Sequence, residues 1–122
     1  MSNACTCSQA PRLIFACSGA SDVGAISDQA ARKMTREGNG RMYCLAGIGG
    51  RIEGITATTK GAAKILAIDG CAHQCAKATL EQAGFTDVQH LQLGELGLTK
   101  GQSPMSDATL QRVADKGAEL LA

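Results

Sequence analysis

Cysteines are the residues of this chain with the clearest capacity for chemistry. Six occur among its 122 residues. In a reducing compartment, clustered cysteines bind metals or react as thiols more often than they form structural disulfides. They are Cys5, Cys7, Cys17, Cys44, Cys71 and Cys75. Zinc prefers sulfur and nitrogen ligands arranged as a tetrahedron. The cysteines therefore predict a site for zinc or another soft metal ion, or a centre of thiol chemistry.

Charge and composition argue against several other classes of function. The net charge is +1, basic residues are scattered along the chain, and aromatic residues make up 2%. Such a sequence favours neither a nucleic-acid partner nor a membrane surface. The apolar run from Leu13 to Cys17 is too short for a signal sequence, and no run approaches the roughly 18 residues of a membrane-spanning helix. We therefore expect a cytoplasmic protein.

The elements that must position the cysteines can be read from apolar periodicity. Three short, mostly apolar runs predict strands at residues 12–17, 41–46 and 64–68, and residues 88–93, with polar residues interleaved, predict an edge strand. Helical spacing predicts helices that begin near residues 22, 71 and 107, whereas residues 51–61 fit either a short helix or an irregular crossover. Strands that alternate with helices predict a three-layer α/β domain over residues 11–122, with a parallel sheet in the flavodoxin-like order 2-1-3-4. Residues 1–10 are expected to form a flexible arm.

Four cysteines are expected to meet at one edge of this sheet. Cys17 closes the first strand, Cys44 lies late in the second, and Cys71 follows the third. Cys75 lies one helical turn beyond Cys71, so the two thiols would share a helix face. The carboxyl ends of parallel strands lie at the same edge, where ligands of such sheets bind. The placement predicts a zinc site made of these four cysteines.

The fourth ligand is open to alternatives. Cys44 lies before the end of its predicted strand, so its side chain could instead point into the core. Cys5 and Cys7 could replace it, because the arm is long enough to fold back.

Three other polar residues lie near these cysteines. Asp69 could orient a ligand or simply cap a helix or turn. His73 is expected to be solvated, and His90 on the fourth strand has no visible partner.

One alternative function is thiol redox or sulfur-transfer catalysis. Cys71 at the predicted helix start would attack as the thiolate, because a helix N-terminus favours the charged sulfur. Cys75, Cys17, or the pair Cys5 and Cys7 would then resolve the intermediate.

A second alternative is a binding module for a small molecule or anion. Ser18 and Gly19 follow the first strand, and Gly47, Gly49 and Gly50 follow the second. Backbone N–H groups in such loops can hold an anion, although neither loop matches a nucleotide-binding motif and both also suit tight turns.

Several segments together resemble the DGC-domain family, over most of residues 11–122. They are Cys17-Ser18-Gly19, Cys44 with Gly47-Ile48-Gly49-Gly50, Ile68-Asp69-Gly70-Cys71, and Cys75-Ala76-Lys77. Members are regarded as zinc-binding proteins because they carry four cysteines able to chelate a metal. The resemblance implies that Cys17, Cys44, Cys71 and Cys75 hold zinc, and it implies no particular reaction. Ala72 replaces a proline that often follows the motif cysteine, and Cys5-Thr6-Cys7 is an addition.

Overall fold

Four parallel strands form the centre of the computed structural model, which describes residues 10–122. The strands are β1 (Arg12–Ala16), β2 (Arg41–Met42), β3 (Lys64–Asp69) and β4 (Gln89–Gln92). Their order across the sheet is β2-β1-β3-β4, and all three neighbouring pairs are parallel. The predicted α/β fold and the predicted strand order are therefore confirmed.

Helices cover both faces of the sheet. They are α1 (Asp22–Arg36), α2 (Leu45–Gly49), α3 (Glu53–Lys60), α4 (Cys75–Gln82) and α5 (Asp107–Leu121), with a 3₁₀ turn at Leu93–Leu96. Residues 51–61, which the sequence left open, form mainly the helix α3. The N-terminal caps of the two long helices are Ser21 and Ser106, whose hydroxyls accept hydrogen bonds from the first turn.

The strand β1 lies between two cores because its side chains alternate across the sheet. Ile14 packs in the core that α1 and α5 cover, with Val23, Met34 and Val113. Its neighbour Phe15 packs in the opposite core, which Ile48 of α2 and Leu80 of α4 help to form. Since α1 and α4 lie on opposite faces, the connections that leave β1 and β3 diverge at the carboxyl edge of the sheet.

The second strand is shorter than its apolar run predicted. Only Arg41 and Met42 pair as a strand, followed by one further bond from Tyr43 N to Ile14 O (2.9 Å). The chain then turns into α2, so the glycine-rich stretch that was expected to end a strand forms a helix instead. Ile48 of this helix is fully buried, and its packing accounts for the turn.

Two remaining sequence predictions concern membrane-spanning segments and the N-terminal arm. Among residues 10–122, no helix is both long and apolar enough to cross a bilayer. The predicted arm with Cys5 and Cys7 falls in residues 1–9, outside the described part of the chain.

Candidate functional site

Cys17 lies at the centre of the carboxyl edge of the sheet. Its backbone N–H donates to Ile68 O at 3.1 Å, which extends the β1–β3 pairing by one residue. Its Sγ accepts a hydrogen bond from Gly70 N at 3.4 Å. The residue thus lies between two strands whose connections diverge to opposite faces, the position at which open parallel sheets bind ligands.

Two clefts open on either side of Cys17. The first, here called the switch-point cleft, has a volume of about 410 Å³ and lies between the loops that follow β1 and β3. Cys17, Cys71, Cys75 and Lys100 line it. The second, here called the β2 cleft, has a volume of about 530 Å³ and is lined by Cys17 and Cys44 among others. The edge of the sheet therefore brings three of the predicted cysteines into one cleft and separates Cys44 from Cys71 and Cys75.

The loop between β3 and α4 is held by the carboxylate of Asp69, which is 1% exposed. Its Oδ1 accepts from Ala76 N at 2.7 Å, and its Oδ2 accepts from Lys77 N at 3.1 Å. Asp69 therefore caps α4 from the end of the strand, one of the two roles expected for it. His90 Nε2 lies 2.9 Å from the same Oδ2. The prediction that His90 has no partner is wrong, because a contact between strands has no signature in sequence spacing.

Gly70 is required by a close approach of two backbones. A Cβ at this position would lie 2.7 Å from the carbonyl carbon of Val23, in the first turn of α1. Gly24 approaches the backbone of Gly19 in the same region, and a Cβ on Gly24 would lie 2.8 Å from the nitrogen of Gly19. Any side chain here would push α1 away from the end of β3. These glycines therefore set the spacing between two walls of the switch-point cleft.

The helix α4 begins four residues later than predicted. Gln74 N donates to Cys71 O at 3.2 Å, and Gln74 has a left-handed backbone with φ of 55°, so residues 71–74 form a turn. The helix itself starts at Cys75. The expected helix start at Cys71, and the helix face shared by Cys71 and Cys75, are therefore wrong. The argument that a helix N-terminus activates the Cys71 thiol loses its basis, and the exposed Cys75 occupies that position instead. His73 is exposed, as expected.

Cys44 is the N-cap of the short helix α2 and not a residue of β2. Its Sγ accepts a hydrogen bond from Gly47 N at 3.3 Å. The residue is exposed, so the alternative that its side chain is buried in the core is wrong. The thiol faces the β2 cleft, which it lines.

The thiols of Cys17, Cys71 and Cys75 line one cleft but do not surround a common point. Within residues 10–122, no three side chains of histidine, cysteine, aspartate or glutamate lie close enough to hold one metal ion as they stand. The donor types along the switch-point cleft suit zinc, whereas their separations require the side chains to move before they could bind it.

Comparison with known proteins places most of this chain in one family. The family model of the DGC domain matches residues 13–116. This chain belongs to the DGC-domain family. Over 88 residues it is 35% identical to the Anaerobic and virulence modulator AnvM of Pseudomonas aeruginosa, an alignment that covers 72% of this chain and 67% of AnvM. No solved structure matches this DGC domain significantly.

The two stretches predicted to hold an anion differ in structure in this DGC domain. Ser18 has a left-handed backbone with φ of 50°, and its Oγ donates to Asp28 Oδ1 at 3.0 Å. Gly19 follows it and lines the switch-point cleft. In the second loop, Gly47 and Gly49 are residues of α2 and Gly50 is its C-cap. The second stretch thus belongs to one short helix and precedes α3, and an anion role for these residues stays a prediction.

Asp22 anchors the segment before α5 through contacts that the sequence did not indicate. Residues 97–105, here called the strap, connect the 3₁₀ turn to α5. Asp22 Oδ1 accepts from Gly101 N and its Oδ2 accepts from Ser103 N, both at 2.9 Å. These bonds, that of Gly101 first, hold the pKa of Asp22 below its usual value. The anchored strap carries Lys100 to the switch-point cleft, so the cleft has one cationic residue whose position no sequence motif indicates.

Proposed function

We propose that this DGC domain binds one zinc ion, or another soft metal ion, through the thiols of Cys17, Cys71 and Cys75. The observation that carries the proposal is that these three cysteines line one cleft at the divergence of the β1 and β3 connections. Three thiols are the donors that zinc prefers, and this edge is where ligands of parallel sheets bind. Neither feature is explained by cysteines that merely fill the core, because Cys75 is exposed and Cys17 and Cys71 are only half-buried.

In this proposal, contacts of Asp69 and Gly70 hold the backbone of the cysteine-bearing loops in place while the thiols move to bind the metal. Asp69 fixes the first turn of α4, and with it Cys75, to the end of β3. Gly70 keeps Cys71 close to the first turn of α1 and donates its N–H to the sulfur of Cys17. Bound zinc would cross-link these loops if protein filled all four positions, and would supply a Lewis acid if one position stayed open.

The structure favours three of the four cysteines that the family resemblance implies. Cys44 lies in the other cleft with its sulfur directed at Gly47 N. We therefore propose that Cys44 is dispensable for the metal, and that the fourth position is open or taken by Cys5 or Cys7.

Metal affinity of single variants tests this proposal. Purified protein is stripped of metal, reduced, and titrated with zinc in competition with a chromophoric chelator. Cys71→Ser and Cys75→Ser are expected to weaken binding by more than about 100-fold, because loss of even an outer-shell partner weakens metal sites by about 10–100-fold. Cys44→Ser is the matched control and is expected to bind zinc within about threefold of the unchanged protein.

Two results would contradict the proposal. An equal loss of affinity in Cys44→Ser would restore the four-cysteine set that the family resemblance implies. Failure of the unchanged protein to compete with the chelator would remove metal binding altogether, and would direct attention to thiol chemistry at the exposed Cys75.

A further inference from the structure

The β2 cleft has a chemistry of its own that the metal proposal leaves unused. Its volume of about 530 Å³ falls within the roughly 300–1,000 Å³ typical of small-molecule sites. Its lining combines an exposed thiol with a guanidinium, those of Cys44 and Arg32. Tyr43 and Thr79 also line the cleft, and the hydroxyl of Thr79 donates to Cys75 O at 2.7 Å.

The guanidinium of Arg32 is largely exposed and pairs with one carboxylate. Its Nε donates to Asp28 Oδ2 at 2.9 Å, while Asp28 Oδ1 accepts from Ser18 Oγ. The bond from Arg32 is the main cause of the lowered pKa of Asp28, so the carboxylate remains charged. Among residues 10–122, Arg32 donates through Nε alone. The two Nη groups therefore present a pair of parallel N–H donors, the geometry that recognises a carboxylate.

Cys44 is the thiol of this cleft that a small molecule can reach. It is exposed, whereas Cys17 is half-buried and its sulfur already accepts the N–H of Gly70. The hydrogen bond from Gly47 N to Cys44 Sγ holds the sulfur at the N-terminus of α2. A ligand held by Arg32 would therefore meet Cys44 rather than Cys17.

We propose that the β2 cleft binds a low-molecular-weight disulfide that carries a carboxylate, and that Cys44 forms a mixed disulfide with it. Cys44 releases its proton to water and its sulfur attacks one sulfur of the ligand. A bond forms between Cys44 Sγ and that sulfur, the original S–S bond breaks, and the other half leaves as a thiolate that takes up a proton. The bound half keeps its carboxylate on Arg32. The proposal is independent of the metal site because it uses none of the thiols unique to the switch-point cleft.

The test compares two disulfide probes of opposite charge on the full chain. Glutathione disulfide carries carboxylates, and cystamine carries only amines. After incubation with each, the rate of adduct formation at Cys44 is followed by peptide mapping with mass spectrometry. Arg32→Gln is expected to slow the reaction with glutathione disulfide about tenfold, the scale of one lost charged hydrogen bond, and to change the reaction with cystamine by less than about twofold.

Two variants serve as controls. Arg36→Gln removes an exposed arginine of the same helix that does not line the β2 cleft, and is expected to leave both rates unchanged. Cys44→Ser is expected to lose the mapped adduct. The proposal is overturned if glutathione attaches to Cys75 or Cys17 and leaves Cys44 free. It is also overturned if Arg32→Gln slows both probes equally, or if Arg36→Gln has the same effect as Arg32→Gln.

Discussion

Asp69 joins three parts of the molecule through one buried carboxylate. It ends β3, accepts two backbone N–H groups at the start of α4, and contacts His90 on β4. A buried acceptor with several donors is costly to weaken because each unsatisfied group loses its hydration as well. The aspartate of the family motif therefore has a structural role that is separate from any ligand it might orient.

Asp69→Asn tests this role through stability. The amide nitrogen cannot accept a hydrogen bond, so one of the three contacts is lost and a donor is left unpaired. We expect the free energy of unfolding to fall by about 2 kcal/mol in urea denaturation. His90→Gln, which leaves both α4 contacts intact, should cost less than about 1 kcal/mol. A change below about 0.5 kcal/mol for Asp69→Asn would mean that α4 does not depend on this cap.

The close packing of Gly70 leads to a second prediction about a single residue. In Gly70→Ala the new methyl group would lie 2.7 Å from the backbone of Val23, which cannot move without α1. Overpacking of this kind typically costs about 1–3 kcal/mol of unfolding free energy. Gly54→Ala is the matched control, since no atom lies within 4 Å of its Cβ position in α3. That change should instead stabilise the protein by about 0.5–1 kcal/mol, because alanine favours a helix. Equal effects of the two changes in thermal denaturation would refute the close approach.

Among the elements, the strap is joined to α1 by the half-buried carboxylate of Asp22. Asp22 accepts the N–H groups of Gly101 and Ser103, which lie on either side of Gln102. Because these bonds lower the pKa of Asp22 in the folded state, the restraint is complete above its usual value of 3.8 and is lost as the pH falls further. Protonation of Asp22 thus weakens the restraint on residues 101–103 of the strap, next to Lys100.

Asp22→Asn should loosen the strap without unfolding the sheet. One of its two acceptors is lost, so the amides of Gly101 and Ser103 should exchange with deuterium several times faster at neutral pH, while amides in β3 keep their rates. Acidification of the unchanged protein below about pH 4 should approach the same local behaviour. Asp115→Asn, at an exposed position of α5, is the control and should change neither amide. Unaltered exchange at Gly101 and Ser103 in Asp22→Asn would show that other contacts hold the strap.

The elements that could be predicted from sequence are those with a long or fully apolar pattern. The helices α1 and α5 have a continuous apolar face and serine caps, and β3 is almost entirely buried, so periodicity locates them well. Residues 41–46 are apolar but too short for periodicity to separate a strand from a helix. In the structure the end of this run begins the helix α2, which buries Ile48, a residue that lies beyond the run.

The candidate site was harder to predict than the fold because its contacts join distant segments. The sequence identifies the cysteines, and parallel topology places Cys17 and Cys71 near one edge. It does not reveal that Asp69 caps α4 across a turn, and so it places the helix start at Cys71 instead of Cys75. It also misses Lys100, because the contacts of Asp22 that hold the strap join distant segments. Arg32 pairs with Asp28 one helical turn away, and nothing in that spacing indicates that it lines a cleft.

At the scale of the whole molecule, two clefts share one residue at the centre of the sheet edge. Cys17 lines both, with Cys71 and Cys75 on one side and Cys44 on the other. The family motif builds the first cleft, whereas residues of α1 and α2 build the second. We therefore propose the metal for the switch-point cleft, which leaves Cys44 free for other chemistry.

The most direct measurement is the metal content of the protein purified without chelator or nickel affinity, by elemental mass spectrometry, with its thiols mapped by alkylation before and after denaturation. We expect about one zinc per chain, with Cys71 and Cys75 protected until the metal is removed and Cys44 alkylated in the native protein. A metal-free protein whose Cys71 and Cys75 react as readily as Cys44 would contradict this expectation.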